Sequence, residues 1–265
     1  MKCRKDDKNL KSWVFLKNRL WFGAFLAVFV TAVIIGHSGL VSRRAQPAHP
    51  ASPAQRASAQ QQPLAGKVIC LDPGHGGYDG GARARDSGVW EKELNLAVAL
   101  KTREALEAQG AQVIMTRTED ADLADADNGA NTKKRRDMKA RLDTAQAGGA
   151  QLLLSIHMNE YRQRSSSGPQ VFYTQGENDS RLLAGCLQES LIATLKPAKE
   201  RAALAGDYYI LGLPIPSALV ECGFISNPEE EKKLLDEGYQ TRVGEAIAQG
   251  VAAYYDLKSR IDVIQ

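Results

Sequence analysis

Histidine is scarce in this chain. Its 265 residues contain four, and two of them, His37 and His49, lie in N-terminal segments that do not read as a folded domain. Any chemistry that needs an imidazole near neutral pH therefore falls to His75 and His157. Cysteine is equally sparse: beyond Cys3 there are only Cys70, Cys186 and Cys222, an odd number at no recognisable spacing and so a poor disulfide framework. Cys70 and Cys222 sit in strand-like apolar runs, where a small buried hydrophobe is the simplest reading. There is no internal repeat, and no basic stretch interleaved with aromatic residues.

Net positive charge is missing from residues 66–265. The whole chain carries a formal +3, but seven basic residues and two aspartates before Leu20, with Arg43, Arg44 and Arg56, contribute +8, which leaves about −5 on residues 66–265. A net acidic domain argues against nucleic acid as a partner.

The basic residues 1–19 precede a run without charge from Leu20 to Ser42, "LWFGAFLAVFVTAVIIGHSGLVS". About 20 apolar residues are enough for a helix to cross a bilayer. A positive flank places the N-terminus inside. The expectation is a cytoplasmic tail over 1–19, a transmembrane anchor over 20–42, and an extracytoplasmic remainder held at the cell membrane. A cleaved signal followed by secretion is the alternative. It is disfavoured because the apolar run is long and the nearest Ala-x-Ala, "ASA" at 57–59, comes well after it. Residues 43–65 are rich in Pro, Ala, Gln and Ser and read as a disordered linker. A folded domain is expected over 66–258, with a short tail over 259–265.

Within that domain, strand-like and helix-like segments alternate. "KVICLD", "AQVIMTR", "AQLLLSIH", "PQVFYT" and "SALVECGFIS" read as strands, and "EKELNLAVALKTREALEAQG", residues 133–147, residues 178–195, "NPEEEKKLL" and "YQTRVGEAIAQGVAAYY" as helices. This pattern predicts a single α/β domain with a largely parallel, twisted sheet covered by helices on both faces. In such sheets ligands bind beyond the carboxyl ends of the strands. Three strands end in polar residues there: "KVICLD" runs into "PGHGG" with His75, "LLLSIH" ends in His157, and "SALVE" ends in Glu221. The glycines around His75 are read as allowing positive φ and leaving the ring unobstructed.

A single strand-end histidine is usually structural. Both domain histidines converging with a strand-end glutamate is harder to explain without chemistry. Two imidazoles and a carboxylate are a common ligand set for catalytic zinc, with water in the fourth place. A second carboxylate is needed as general base. The start of the first helix offers Glu91 and Glu93, either of which could also serve the helix dipole, and spacing does not choose between them.

Four segments, "VICLDPGHGGYDGGA", "EKELNLAVAL", "LLLSIHMNE" and "ALVECGFISNPEE", occur in the order and spacing of the zinc-dependent N-acetylmuramoyl-L-alanine amidases of the type-3 catalytic domain. The resemblance covers residues 67–255. It implies one Zn²⁺ held by His75, Glu91 and His157, with Glu221 as the catalytic glutamate. It also matches Asn159 and Arg141 to the family's pattern, and with Tyr78 these are expected to contact substrate, along with the insertion over 120–133. The chain departs from the family at "TAQ", where Ala-Asn is usual, and in a longer loop before that helix; this leaves the groove rim unspecified.

The implied activity is hydrolysis of the amide between N-acetylmuramic acid and L-alanine in peptidoglycan. An anchor with one catalytic domain is similar to the sporulation amidases of endospore formers, which act in cortex δ-lactam formation. This leaves room for an activating protein partner. Rival readings of the same residues are a zinc peptidase of the cell wall and a wall-binding module that keeps its metal without turnover.

Overall fold

The structure is a computed structural model that describes residues 62–124 and 132–264. The expected tail, membrane span, most of the linker and the middle of the 120–133 insertion lie outside those residues. Among the described residues, no helix is long and apolar enough to cross a membrane.

Six strands form one sheet: β1 (Val68–Pro73), β2 (Gln112–Met115), β3 (Leu152–Asn159), β4 (Gln170–Tyr173), β5 (Leu204–Ala205) and β6 (Ser217–Phe224), in the order β2-β1-β3-β6-β4-β5. All neighbouring pairs are parallel except β4 with β6, which run antiparallel. The expected largely parallel sheet is therefore present, with one reversed junction. The two-residue β5 carried no sequence signal.

Among the described residues five helices accompany the sheet: α1 (Glu91–Ala108), α2 (Lys133–Ala147), α3 (Asn178–Leu195), α4 (Pro228–Leu234) and α5 (Glu237–Ile264). Their ends follow local chemistry. Thr132 caps α2 by accepting from the Arg135 amide at 3.2 Å. Asn227 caps α4 by accepting from the Glu229 and Glu230 amides, with Pro228 in the first turn.

Alternation along the strands sorts side chains into two layers. Ile69, Leu71, Leu152, Leu154, Ile156, Val220 and Cys222 join the large core beneath α1, α3 and α5. Cys70, Leu153 and Leu219 face the other way into a small cluster with Ala145 of α2 and with Ile210 and Leu211 of a 3₁₀ turn, Tyr209–Leu211. Two helix glycines allow the thick layer to close. A Cβ at Gly244 would lie 2.7 Å from the α1 backbone at Lys101 and Thr102, and one at Gly250 would lie 2.8 Å from Leu187 Cα of α3.

Both expected domain edges move outward. Leu64, placed in the linker by its neighbours' composition, is fully buried, and its amide bonds the Gln109 carbonyl at the end of α1. Residues 259–264, expected as tail, continue α5, where the Lys258–Asp262 and Arg260–Asp256 pairs at i,i+4 support the last turns.

Candidate active site

The site forms on the thin, α2-covered face, at the carboxyl ends of β1, β3 and β6. The period of two that sends Leu154 and Ile156 into the large core sends Ser155 and His157 to this face. Glu221 arrives on β6 directly opposite His157 in the strand register. His75 follows β1 in a left-handed conformation, φ 61°. Of the glycines around it, Gly76 and Gly77 have positive φ, as expected. Gly74 does not; it is needed for space, because a Cβ there would collide with the His157 ring.

Glu91 enters from the first turn of α1 and becomes the hub. Its Oε1 lies 2.9 Å from His157 Nδ1 and 3.3 Å from His75 Nε2. The same oxygen accepts from the Met158 amide at 3.3 Å and from Asn95 Nδ2 at 3.2 Å, while Oε2 accepts from the Ala82 amide at 2.9 Å. Burial works to raise this carboxyl, but the contacts with His157 and His75 outweigh it and hold Glu91 well below the usual carboxylate range. Glu93, its rival in the sequence, is exposed and turns back to the Trp90 amide.

The His75 and His157 rings meet edge to face, centroids 5.0 Å apart. One donor atom each from His75, Glu91 and His157 lie within 4.8 Å of one another. Asp79 Oδ2 stands 3.0 Å from His75 Nδ1. Burial opposes protonation of His75, but Glu91 and Asp79 more than compensate and raise its pKa. A Cβ at Gly81 would sit 2.6 Å from Glu91 Oε2 and 2.7 Å from His75 Cδ2, so the glycine keeps the hub clear. Two imidazoles, an ionised buried carboxylate and an outer carboxylate behind one imidazole fit a divalent cation well.

Glu221 stands apart from this hub. Its Oε2 is enclosed with no hydrogen-bond partner among the described residues. Burial raises its carboxyl to about 7, with His157 opposing and Glu91 reinforcing the shift. An acid that titrates near neutrality beside a cluster of metal-type donors can both accept and release a proton.

A family model described as N-acetylmuramoyl-L-alanine amidase matches residues 69–253. The chain belongs to that amidase family. It is 38% identical over 198 residues to the germination-specific N-acetylmuramoyl-L-alanine amidase of Bacillus subtilis, covering 74% of this chain and 83% of the relative. The solved CwlD amidase of Clostridioides difficile, in complex with the GerS lipoprotein, superposes with a TM-score of 0.68 at 39% identity, over 72% of this chain and 99% of that one. A second Clostridium difficile amidase gives 0.65 at 32% identity, over 72% and 97%. The amidase is thus a peptidoglycan hydrolase that cuts the bond between N-acetylmuramic acid and L-alanine.

The amidase's cleft, about 330 Å³, is lined by His75, His157 and Glu221 and walled by Lys134, Tyr208 and Tyr209. Tyr78 and Asn159 are not among the residues that line it; Tyr78 is half-exposed, with Lys133 Nζ 4.2 Å above its ring. Arg141, expected as a substrate contact, lines the floor of the cleft and is bound up in internal hydrogen bonds. It is 1% exposed, and its donors go to Asp72, Asp137 and the carbonyls of Pro73 and His75 at 2.8–3.5 Å. All five N–H groups of the guanidinium are thereby engaged. Sequence reasoning missed Asp79, although a carboxylate four residues after His75 was visible. It also missed Tyr208, which lies in a short turn with no periodicity; burial and the nearby Glu221 charge raise its phenol.

Proposed function

We propose that the amidase is a zinc enzyme in which His75, Glu91 and His157 hold the ion and Glu221 handles the proton. The observation that carries this reading is the convergence of three donor side chains beside a carboxylate with an unpartnered, enclosed oxygen. Zinc, when bound there, would supply a Lewis acid and a water acidified toward neutral pH. Glu91 holds the two imidazoles together through one oxygen, and Asp79 backs His75. Glu221, poised near neutrality, takes the proton lost by the attacking water and delivers it to the departing L-alanine nitrogen. The cleft walls orient the glycan and stem peptide across these groups.

The charge-free run 20–42 behind a basic flank supports a membrane anchor with the catalytic domain outside the cytoplasm. Similarity to a germination-specific amidase, and to one solved in complex with a lipoprotein, supports a role in spore cortex δ-lactam formation with a protein partner. Digestion of purified peptidoglycan, with the new ends identified by mass spectrometry, tests the activity. The expected products carry free N-terminal L-alanine and appear only when zinc is present. L-alanine retained on muramic acid would mark a peptidase instead, and activity that survives chelation would remove zinc. A reporter fused after residue 60 tests topology, with activity expected only outside the cytoplasm.

A further inference from the structure

Arg117, at the end of the segment after β2, is 5% exposed, yet none of its hydrogen-bond partners is a carboxylate. Its Nε donates to the Pro73 carbonyl at 2.9 Å, and its Nη2 donates to Gly74 O at 3.0 Å and to Lys92 O at 2.8 Å. Nη1 turns to Glu119 O at 3.0 Å. Gly74 immediately precedes His75, and Lys92 immediately follows Glu91. One nitrogen therefore ties together the two backbone segments that present two of the site's donors.

Asn95 repeats the link from the other side. Fully buried on α1, its Nδ2 donates to Gly74 O at 3.0 Å and to Glu91 Oε1 at 3.2 Å, leaving its Oδ1 without a partner. Lys92 Nζ adds a third strap, to Gly77 O at 2.9 Å and Asp120 Oδ2 at 2.7 Å. A buried guanidinium satisfied only by carbonyls, and a buried amide with an orphaned oxygen, are costly arrangements that fold stability alone does not call for. Burial, followed by the neighbouring Arg141 charge, pulls the Arg117 guanidinium down to about 10. What the two arrangements share is geometry: each spans the same gap, between the loop of His75 and the first turn of α1.

We propose that Arg117, seconded by Asn95, is a positioning residue that sets the spacing between His75 and Glu91 and thereby the affinity and geometry of the metal centre. The inference rests on the reading of His75, Glu91 and His157 as metal ligands. Outer groups that orient ligands are typically worth about 10- to 100-fold in metal affinity.

The test uses the full chain stripped of metal, with zinc affinity measured by competition against a chromophoric chelator and ligand geometry read from the visible spectrum of the cobalt(II) form. Arg117→Gln is expected to weaken zinc binding on the order of 10- to 100-fold and to change the cobalt spectrum, with Arg117→Lys recovering part of the loss. Gln188→Leu, which removes a buried amide from the Val171 and Pro169 backbone and has no hydrogen bond to a donor residue, is expected to lower thermal stability with zinc affinity and spectrum unchanged. Wild-type affinity and spectrum in Arg117→Gln would overturn the proposal, as would an equal loss in Gln188→Leu. Should Arg117→Gln fail to fold, Asn95→Ala decides: weaker zinc and an altered spectrum support the clasp, wild-type values refute it. His157→Ala separates the two levels, since zinc binding unaffected by that change would remove the metal reading itself.

Discussion

On β3, Leu152, Leu154 and Ile156 point into one layer, while Leu153, Ser155 and His157 point into the other. The first layer is thick, apolar and closed by three helices whose glycines let backbones touch. The second is thin. Below the cleft it is a network of buried charge in which Asp72 receives Arg141 at 2.8 Å, Thr116 at 2.7 Å and Ser155 at 2.7 Å. Burial works to raise Asp72, but Arg141 and the two hydroxyls outweigh it and hold the carboxyl low. The same strands thus build a core on one face and a chemical site on the other. Packing secures the first, and the hydrogen-bonded ion pairs around Asp72 and Arg141 secure the second, beside which Glu221 Oε2 stays unpartnered.

That contrast is most sharply tested by substitutions on each face. His157→Ala should abolish zinc binding and reduce hydrolysis to background, because a three-ligand site that loses one ligand keeps little geometry. Full zinc content in that variant, measured by elemental analysis, would break the assignment. Arg141→Met should destabilise the fold by about 3–5 kcal/mol in denaturant melts, since it strands buried Asp72 and Asp137 without their cation. Leu154→Ala, on the thick face, should cost about 2–5 kcal/mol through the cavity it leaves, while zinc content stays at one per chain. A loss of zinc from folded Leu154→Ala would show that the two faces are not separable.

The sequence made one of these faces more legible than the other. The thick layer follows from apolar periodicity, so α1, α2 and α3 fall where expected, and His75, His157 and Glu221 were visible as polar residues at strand ends. The choice of Glu91 over Glu93 was not, because two residues apart on a helix they differ only in direction. The family resemblance selected Glu91, and the structure places it 5% exposed against both imidazoles while Glu93 caps the helix. The roles of Arg117, Arg141 and Asp79 depend on which distant carbonyl or ring each one meets, and no local pattern encodes that. The antiparallel β4 and the turn holding Tyr208 were hidden for the same reason.

A smaller effect separates the faces by pH. In the metal-free protein, Glu221 titrates at about 7 when folded against an ordinary 4.5, so between those values the folded state binds the additional proton. Stability should therefore fall as pH rises from about 4.5 to about 7, and Glu221→Gln should flatten that slope in chemical denaturation series. A slope unchanged in the variant would assign it to other groups. The smallest effect is expected at the far end of α5, where Val263 and Ile264 are 87% and 85% exposed. Deleting residues 259–264 removes exposed ion pairs and the half-buried Ile261, and should cost about 1 kcal/mol.

The central claim is that the donors of the thin face hold metal while Glu221 moves protons without holding it. Zinc content and peptidoglycan hydrolysis, measured together on Glu221→Gln, test this most directly. The account predicts about one zinc per chain, a native fold, and a rate lower by on the order of 10² to 10⁴. Loss of zinc from this variant would make Glu221 a ligand, and full hydrolysis with zinc retained would give the proton to another residue; either result contradicts the account.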